Sequence, residues 1–182
     1  MIGWAGAAGR LVLCVMLLSC LAAAPALASP SDRSDPLAQR AAVAVAEAKA
    51  MRQRGQRVWC VTFARTASGI ALKGNARTWW AAARGLYRRG PEPAVGAVMV
   101  FSGSRAMPMG HVAVVAKVVD DRTILIDHAN WKRNQVSLGM MVVDVSKAGD
   151  WSAVRVAGTP GVYGRVNPVS GFIYPGEMVA SR

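Results

Sequence analysis

Apolar positions recur three and four residues apart in the first half of the chain, and as alternations or short unbroken runs in the second. Asp35-Pro36 opens the first helical pattern, an N-cap candidate followed by proline at the first helical position. An Ala-rich stretch continues to about Arg54 and stops at Gly55. Its apolar side is mostly alanine, which predicts a helix lying against the domain surface rather than building the core. Phe63, Ala67, Ile70 and Ala71 set a second helical period, weakened at Gly69 and closed at Gly74-Asn75. Thr78 to Tyr87 predicts a third helix, ended by Gly90-Pro91.

After Pro93 the period changes. Val95 to Phe101, His111 to Val119, Thr123 to His128, Gln135 to Val145 and Ala153 to Ala157 are rich in Val, Ile and Met. Asp120-Asp121, Lys132 to Asn134 and Lys147 to Asp150 separate them as turns, and Gly171 to Tyr174 forms a last strand bracketed by prolines. Helices first and closely spaced strands afterwards predict an α+β domain with a mainly antiparallel sheet.

The N-terminus changes the picture. Arg10 precedes an uncharged run from Leu11 to Leu21, and Ala26-Leu27-Ala28 follows as a small-x-small site, so residues 1–28 read as a secretory signal. The expected location is periplasmic or secreted, with no membrane attachment after cleavage. Leu17-Leu18-Ser19-Cys20 is only a loose lipobox, with bulky Leu18 where small residues are usual. Cleavage removes Cys14 and Cys20 and leaves Cys60 as a single thiol, which excludes an internal disulfide. The remaining chain divides into a leader and Ala-rich helix at 29–54, a domain at 55–176 and a tail at 177–182. The formal net charge is +12, of which Arg10 is the signal's only share. Behind a signal that charge suggests anionic envelope polymers or a solvated surface, and no aromatic-interleaved nucleic-acid motif accompanies it.

Cys60 lies where the loop GQRVW meets the start of a helix, where free backbone N–H groups favour thiolate. A buried cysteine can also be just a small hydrophobe. The chain has two histidines. His111 follows Gly110 at the start of a strand, where the glycine permits close backbone approach. His128 ends the next strand, which the short turn makes its hairpin partner. On a two-residue period Ile124, Ile126, His128 and Asn130 share one face, while Leu125, Asp127, Ala129 and Trp131 share the other. A cysteine at a helix start, a histidine base and a polar group to hold its tautomer are what a thiol enzyme needs. A metal site built from Cys60, His111, His128 and Asp127 is the competing arrangement, but it lacks short ligand spacings.

In order along the chain, VWCVTFAR, GNARTWWAAA, PAVGAVMVF, MGHVAVVAKV, ILIDHANW and VSGFIYP resemble the CHAP family of cysteine, histidine-dependent amidohydrolases and peptidases, in the papain-like NlpC/P60 group. The resemblance covers about residues 55–175. It implies a papain-like fold, with a helix carrying the cysteine packed on an antiparallel sheet carrying the base. It further implies cleavage of peptidoglycan amide bonds, with Cys60 as nucleophile, His111 as general base and then acid, and no metal or organic cofactor. Family members often have Glu-x-Asn where this chain has His128-Ala129-Asn130, so the orienting residue is sought in the order His128, Asn130, Asp127. Trp59 stands where many relatives have glutamine, which leaves the Cys60 N–H as the oxyanion donor.

Three other functions fit parts of the pattern: a wall-binding scaffold without turnover, an acyltransferase or transpeptidase using the same thioester, and a nucleic-acid-binding protein. The expected partner is peptidoglycan, with an activator protein if the Ala-rich helix shields the cleft, and no nucleic acid.

Overall fold

The computed structural model describes residues 35–159 and 161–176. The signal-like residues 1–28, with Cys14 and Cys20, and the tail from 177 lie outside them. Helix α1 spans Pro36–Gln53, capped by Asp35, whose side chain accepts from the Leu37 N–H at 2.9 Å. Most of it faces solvent, but Ala44 and Ala48 are buried. Helix α2, Cys60–Ser68, buries Phe63, Ala64 and Ala67 on one face and ends earlier than the periodicity predicts, because Gly69 takes the left-handed conformation (φ 78°). Ile70 remains fully buried in the loop beyond. Helix α3, Ala76–Ala82, is also shorter than expected. The chain beyond it turns, and the Tyr87 hydroxyl accepts from the Ala71 N–H at 3.0 Å.

The strands are β1 (Arg89–Gly90), β2 (Val98–Phe101), β3 (His111–Asp120), β4 (Thr123–Ala129), β5 (Val136–Asp144), β6 (Ala153–Thr159) and β7 (Val162–Ile173). All pairings are antiparallel, and the order β1-β7-β2-β3-β4-β5-β6 closes through a further β6–β7 pairing. Strands β2 to β7 therefore form a closed, barrel-like sheet of six strands, with β1 a short addition outside it. Closure depends on β7, of which the sequence reading anticipated only the end. Gly164, Gly171 and Pro168 disguise it as loop, yet it pairs with β6 at its start and with β2 and β1 at its end.

The alternation of the strands sorts their side chains into two cores. Met99, Phe101, Ala113, Val115, Ile124, Ile126, Val154 and Phe172 pack together inside the barrel. Val98, Val100, Val112, Val114 and Ile173 face outward, onto Phe63, Ala67, Ile70 and Trp79 of the helical layer. The runs of β2 and β3 are apolar on both faces for this reason. At 20–33 cal/mol per Å² of buried apolar surface, roughly 25 as a working value, burial on both faces is the main stabilising contribution.

Candidate active site

Val58, in the loop before α2, is buried, and its N–H donates to Asn134 Oδ1 at 2.9 Å. The Asn134 N–H in turn donates to Asn130 Oδ1 at 2.8 Å, and the Asn130 N–H to the Gln135 carbonyl at 2.7 Å. The turn after β4 thus clamps the loop that delivers Cys60. Cys60 is the first residue of α2, and Trp59 caps the helix with no side-chain hydrogen bond. The first backbone bond of the helix runs from the Phe63 N–H to the Trp59 carbonyl, so the donors before it are free of helix partners.

These donors do not make the thiol acidic. Burial pushes the Cys60 thiol above its ordinary value, and backbone hydrogen bonds at Val112, Val61 and Cys60 itself offset only part of that. The lowered thiol pKa expected from the helix start is therefore overturned by desolvation.

His111 opens β3 and is buried. Gly110 before it has φ 64°, and a Cβ there would meet the Phe101 carbonyl oxygen at 2.7 Å and the Arg77 nitrogen at 2.9 Å. The Arg77 N–H donates to the Met109 carbonyl at 2.9 Å, so the start of α3 is seated against this point. Glycine is required for that approach, as the Gly-His pair suggests.

His128 is completely buried, and its Nδ1 lies 3.0 Å from His111 Nε2. Trp131 stacks on the His128 ring at 5.5 Å between centroids and 27° between planes. It also meets the edge of His111 at 5.1 Å, while Phe101 packs on His111 at 5.7 Å. The strict alternation placed Trp131 on the face opposite His128. Asn130 corrects this: its φ of 62° ends the strand and swings Trp131 back over the imidazole. Trp131 is the site residue that a two-residue period hides. The signal for it was an asparagine directly before the tryptophan, since asparagine tolerates the left-handed region.

Burial depresses both imidazoles. His111 lies well below the ordinary histidine range, through desolvation first and the neighbouring His128 charge second, and His128 is pushed down to about 4 by desolvation. Both rings are therefore neutral near pH 7.

Cys60 and His111 line one cavity of about 610 Å³, with Trp59, Asn130 and Trp131 also at its wall. His128 stands behind His111. The Asn130 side-chain oxygen is committed to its own turn and not to His111. Asp127 points elsewhere, as the alternation predicts, and accepts from the Gly139 N–H at 2.7 Å beside a groove under α1. No residue of α1 lines the Cys60 cavity, so this helix is not placed to shield it; it packs on α2, with Glu47 accepting from the Thr66 hydroxyl at 2.8 Å.

No curated protein matches the chain. The family model of the CHAP domain matches residues 51–130, a stretch that holds Cys60, His111, His128 and Asn130 and stops before β5. The matched stretch is thus similar to the CHAP domain, the papain-like unit of a family of cysteine- and histidine-dependent amidohydrolases and peptidases.

Proposed function

We propose that the protein hydrolyses amide bonds of peptidoglycan through a thioester on Cys60, with His111 as general base and acid and His128 as the residue that orients it. The carrying observation is the 3.0 Å contact between His111 Nε2 and His128 Nδ1, made behind a cavity that Cys60 and His111 share. His111 must keep Nδ1 unprotonated to accept the thiol proton, so Nε2–H donates to His128 Nδ1. That tautomer leaves the His128 proton on Nε2, a buried atom with no partner among the described residues. Such an orphan is tolerated where it serves a site.

Because burial raises the thiol and lowers the imidazole, the resting pair is neutral rather than a thiolate–imidazolium pair. As sulfur bonds to the amide carbonyl carbon, its proton passes to His111. The Cys60 N–H receives the developing oxyanion. His111 then protonates the leaving amine as the C–N bond breaks. Water gives a proton to His111 and attacks the thioester, releasing the carboxylic acid and restoring the thiol. The signal-like residues 1–28 support a periplasmic or extracellular setting for this activity, where peptidoglycan is found.

Mass spectrometry of purified peptidoglycan incubated with the protein and with Cys60→Ala tests this reading. New amide-cleavage products from the parent alone, their masses naming the bond, are expected. Wall binding by both proteins with no products would instead support a non-catalytic scaffold, and transfer of the acyl group to an added amine a transpeptidase.

A further inference from the structure

One wall of the Cys60 cavity comes from β6 and β7, which lie outside the CHAP match. Tyr163, Arg165 and Asn167 line it. No aspartate or glutamate is among the residues that line the cavity, and Arg165 is the one arginine or lysine among them. Among the described residues its guanidinium has no hydrogen-bond or ion-pair partner. Its backbone, in contrast, is pinned: buried Asn167 donates from Nδ2 to the Arg165 carbonyl at 3.0 Å, and Arg155 reaches the Gly164 carbonyl at 2.8 Å. Trp59, also at the cavity wall, carries the Arg57 guanidinium over its ring at 4.3 Å. The lining of the cleft thus offers one uncommitted guanidinium and no carboxylate.

We propose that Arg165 is a specificity-determining residue that binds a carboxylate on the peptide bearing the scissile amide, making the enzyme selective for acidic peptide amides. The proposal rests on the hydrolase reading for its substrate, but the charge of the cleft can be measured without turnover. A guanidinium presents paired donors that match a carboxylate, and exposed Arg165 gives the open cleft a charge of one sign that concentrates the opposite charge. The β6–β7 arm would supply this selectivity, while the matched segment supplies the chemistry.

Alkylation of Cys60 in the full-length protein tests the charge directly. Iodoacetate and iodoacetamide differ by one negative charge, and the Cys60 peptide is quantified by mass spectrometry apart from Cys14 and Cys20. The iodoacetate-to-iodoacetamide rate ratio is expected to fall about tenfold in Arg165→Gln at low ionic strength, the low end of steering by a charged cleft. Arg165→Lys should restore most of it, and molar salt should erase the difference between parent and variant. An unchanged ratio in a folded Arg165→Gln would overturn the proposal. In a second arm, wall material whose peptide carboxylates have been amidated is compared with untreated wall. The parent should show a higher KM on the amidated wall, and Arg165→Gln should not distinguish the two. Cys60-dependent cleavage of both by the parent at equal KM would overturn the proposal and leave the hydrolase reading standing. Cleavage of neither would count against the hydrolase reading alone, with the alkylation ratio still deciding the role of Arg165.

Discussion

His111 Nε2 and His128 Nδ1 lie 3.0 Å apart, with their rings at 82°, so in the proposed mechanism the group that orients the base is a second imidazole rather than a carboxylate. A carboxylate would stabilise the imidazolium by charge. A neutral imidazole offers only a lone pair and a dipole, and the buried His128 is held neutral by the same desolvation that depresses His111. The site therefore depends on geometry more than on charge, and the aromatic packing of Trp131 and Phe101 supplies that geometry.

Removing the second imidazole should disable the base without emptying the cavity in front of it. His128→Ala is expected to lower kcat by roughly 100-fold or more, the range associated with a positioned proton-transfer group. KM should change much less. A purely structural role for His128 would instead lower the folded fraction and leave kcat per folded molecule near the parent value. Steady-state kinetics with active-thiol titration separates the two outcomes. His128→Asn, which can still accept from His111 Nε2–H, should recover part of the loss.

The pH dependence follows from the directions of the shifts. His111 sits well below the ordinary imidazole range, so the acid limb of kcat/KM should lie below pH 6.5, the ordinary value, and activity should persist into mildly acid conditions. The Cys60 thiol is raised, so alkylation of the free protein should keep accelerating above pH 9.0, the ordinary thiol value, rather than reaching a plateau near neutrality. A plateau at neutral pH would show a preformed ion pair and overturn the neutral-pair mechanism. Stability carries the same signature. The folded pKa of His128, about 4, is below the unfolded value of 6.5, so the unfolded chain binds the proton first as pH falls. Its contribution, a few kcal/mol at roughly 1.4 kcal/mol per unit, is fully present above 6.5 and lost as pH drops toward 4. Urea midpoints measured between pH 7 and 4 should decline accordingly, and less steeply in His128→Phe.

Gly110→Ala should destabilise the fold at the point where three elements meet. The residue holds φ 64°, and a Cβ would press on the backbone of both Phe101 and Arg77, which cannot yield as a flexible side chain would. Left-handed strain alone costs about 1–2 kcal/mol for a non-glycine residue, and the backbone clash adds to it. A loss of at least about 2 kcal/mol in denaturant unfolding is expected, with impaired activity in the fraction that folds. An unchanged midpoint would mean that the approach of α3 to β3 is softer than the structure shows.

Much of this site was legible because its parts are local. Asp35-Pro36, the cysteine at a helix start and the Gly-His pair each have a short-range physical signature, and each is found where that signature puts it. The limits appear where long-range contacts decide. The His128 face was correctly read as ending an apolar row, but one left-handed residue, Asn130, reversed the placement of Trp131. Cys60 shows the same limit in its electrostatics: the helix start is visible in the sequence, whereas the burial that outweighs it comes from distant segments. Likewise β7 has little strand character of its own, with Gly164, Pro168 and Gly171 in its length, and is held extended by pairing with three other strands. Barrel closure, and with it the wall that carries Arg165, could not be read from a local pattern.

Asn130 offers the sharpest separation of a structural role from a chemical one. Its Oδ1 accepts from the Asn134 N–H, and Asn134 Oδ1 accepts from the Val58 N–H just ahead of Cys60. Its φ of 62° also sets the turn that brings Trp131 onto His128. Asn130→Gly keeps the backbone conformation and loses only the side-chain bond, whereas Asn130→Ala loses both. If Asn130 acts through the turn, glycine should retain much of the activity and alanine should lose more, by about 1 kcal/mol or more in stability from the added strain. If Asn130 itself held His111, glycine and alanine would be equally inactive, because both lack the amide. Measuring kcat and unfolding midpoints for the two variants together distinguishes these outcomes. Asn134→Gly gives the matching control on the loop: it keeps the left-handed conformation (φ 58°), leaves His111 and His128 untouched and removes the acceptor that fixes Val58. A loss of activity there, with the His111 acid limb unmoved, would show that the turn positions the nucleophile as well as the base.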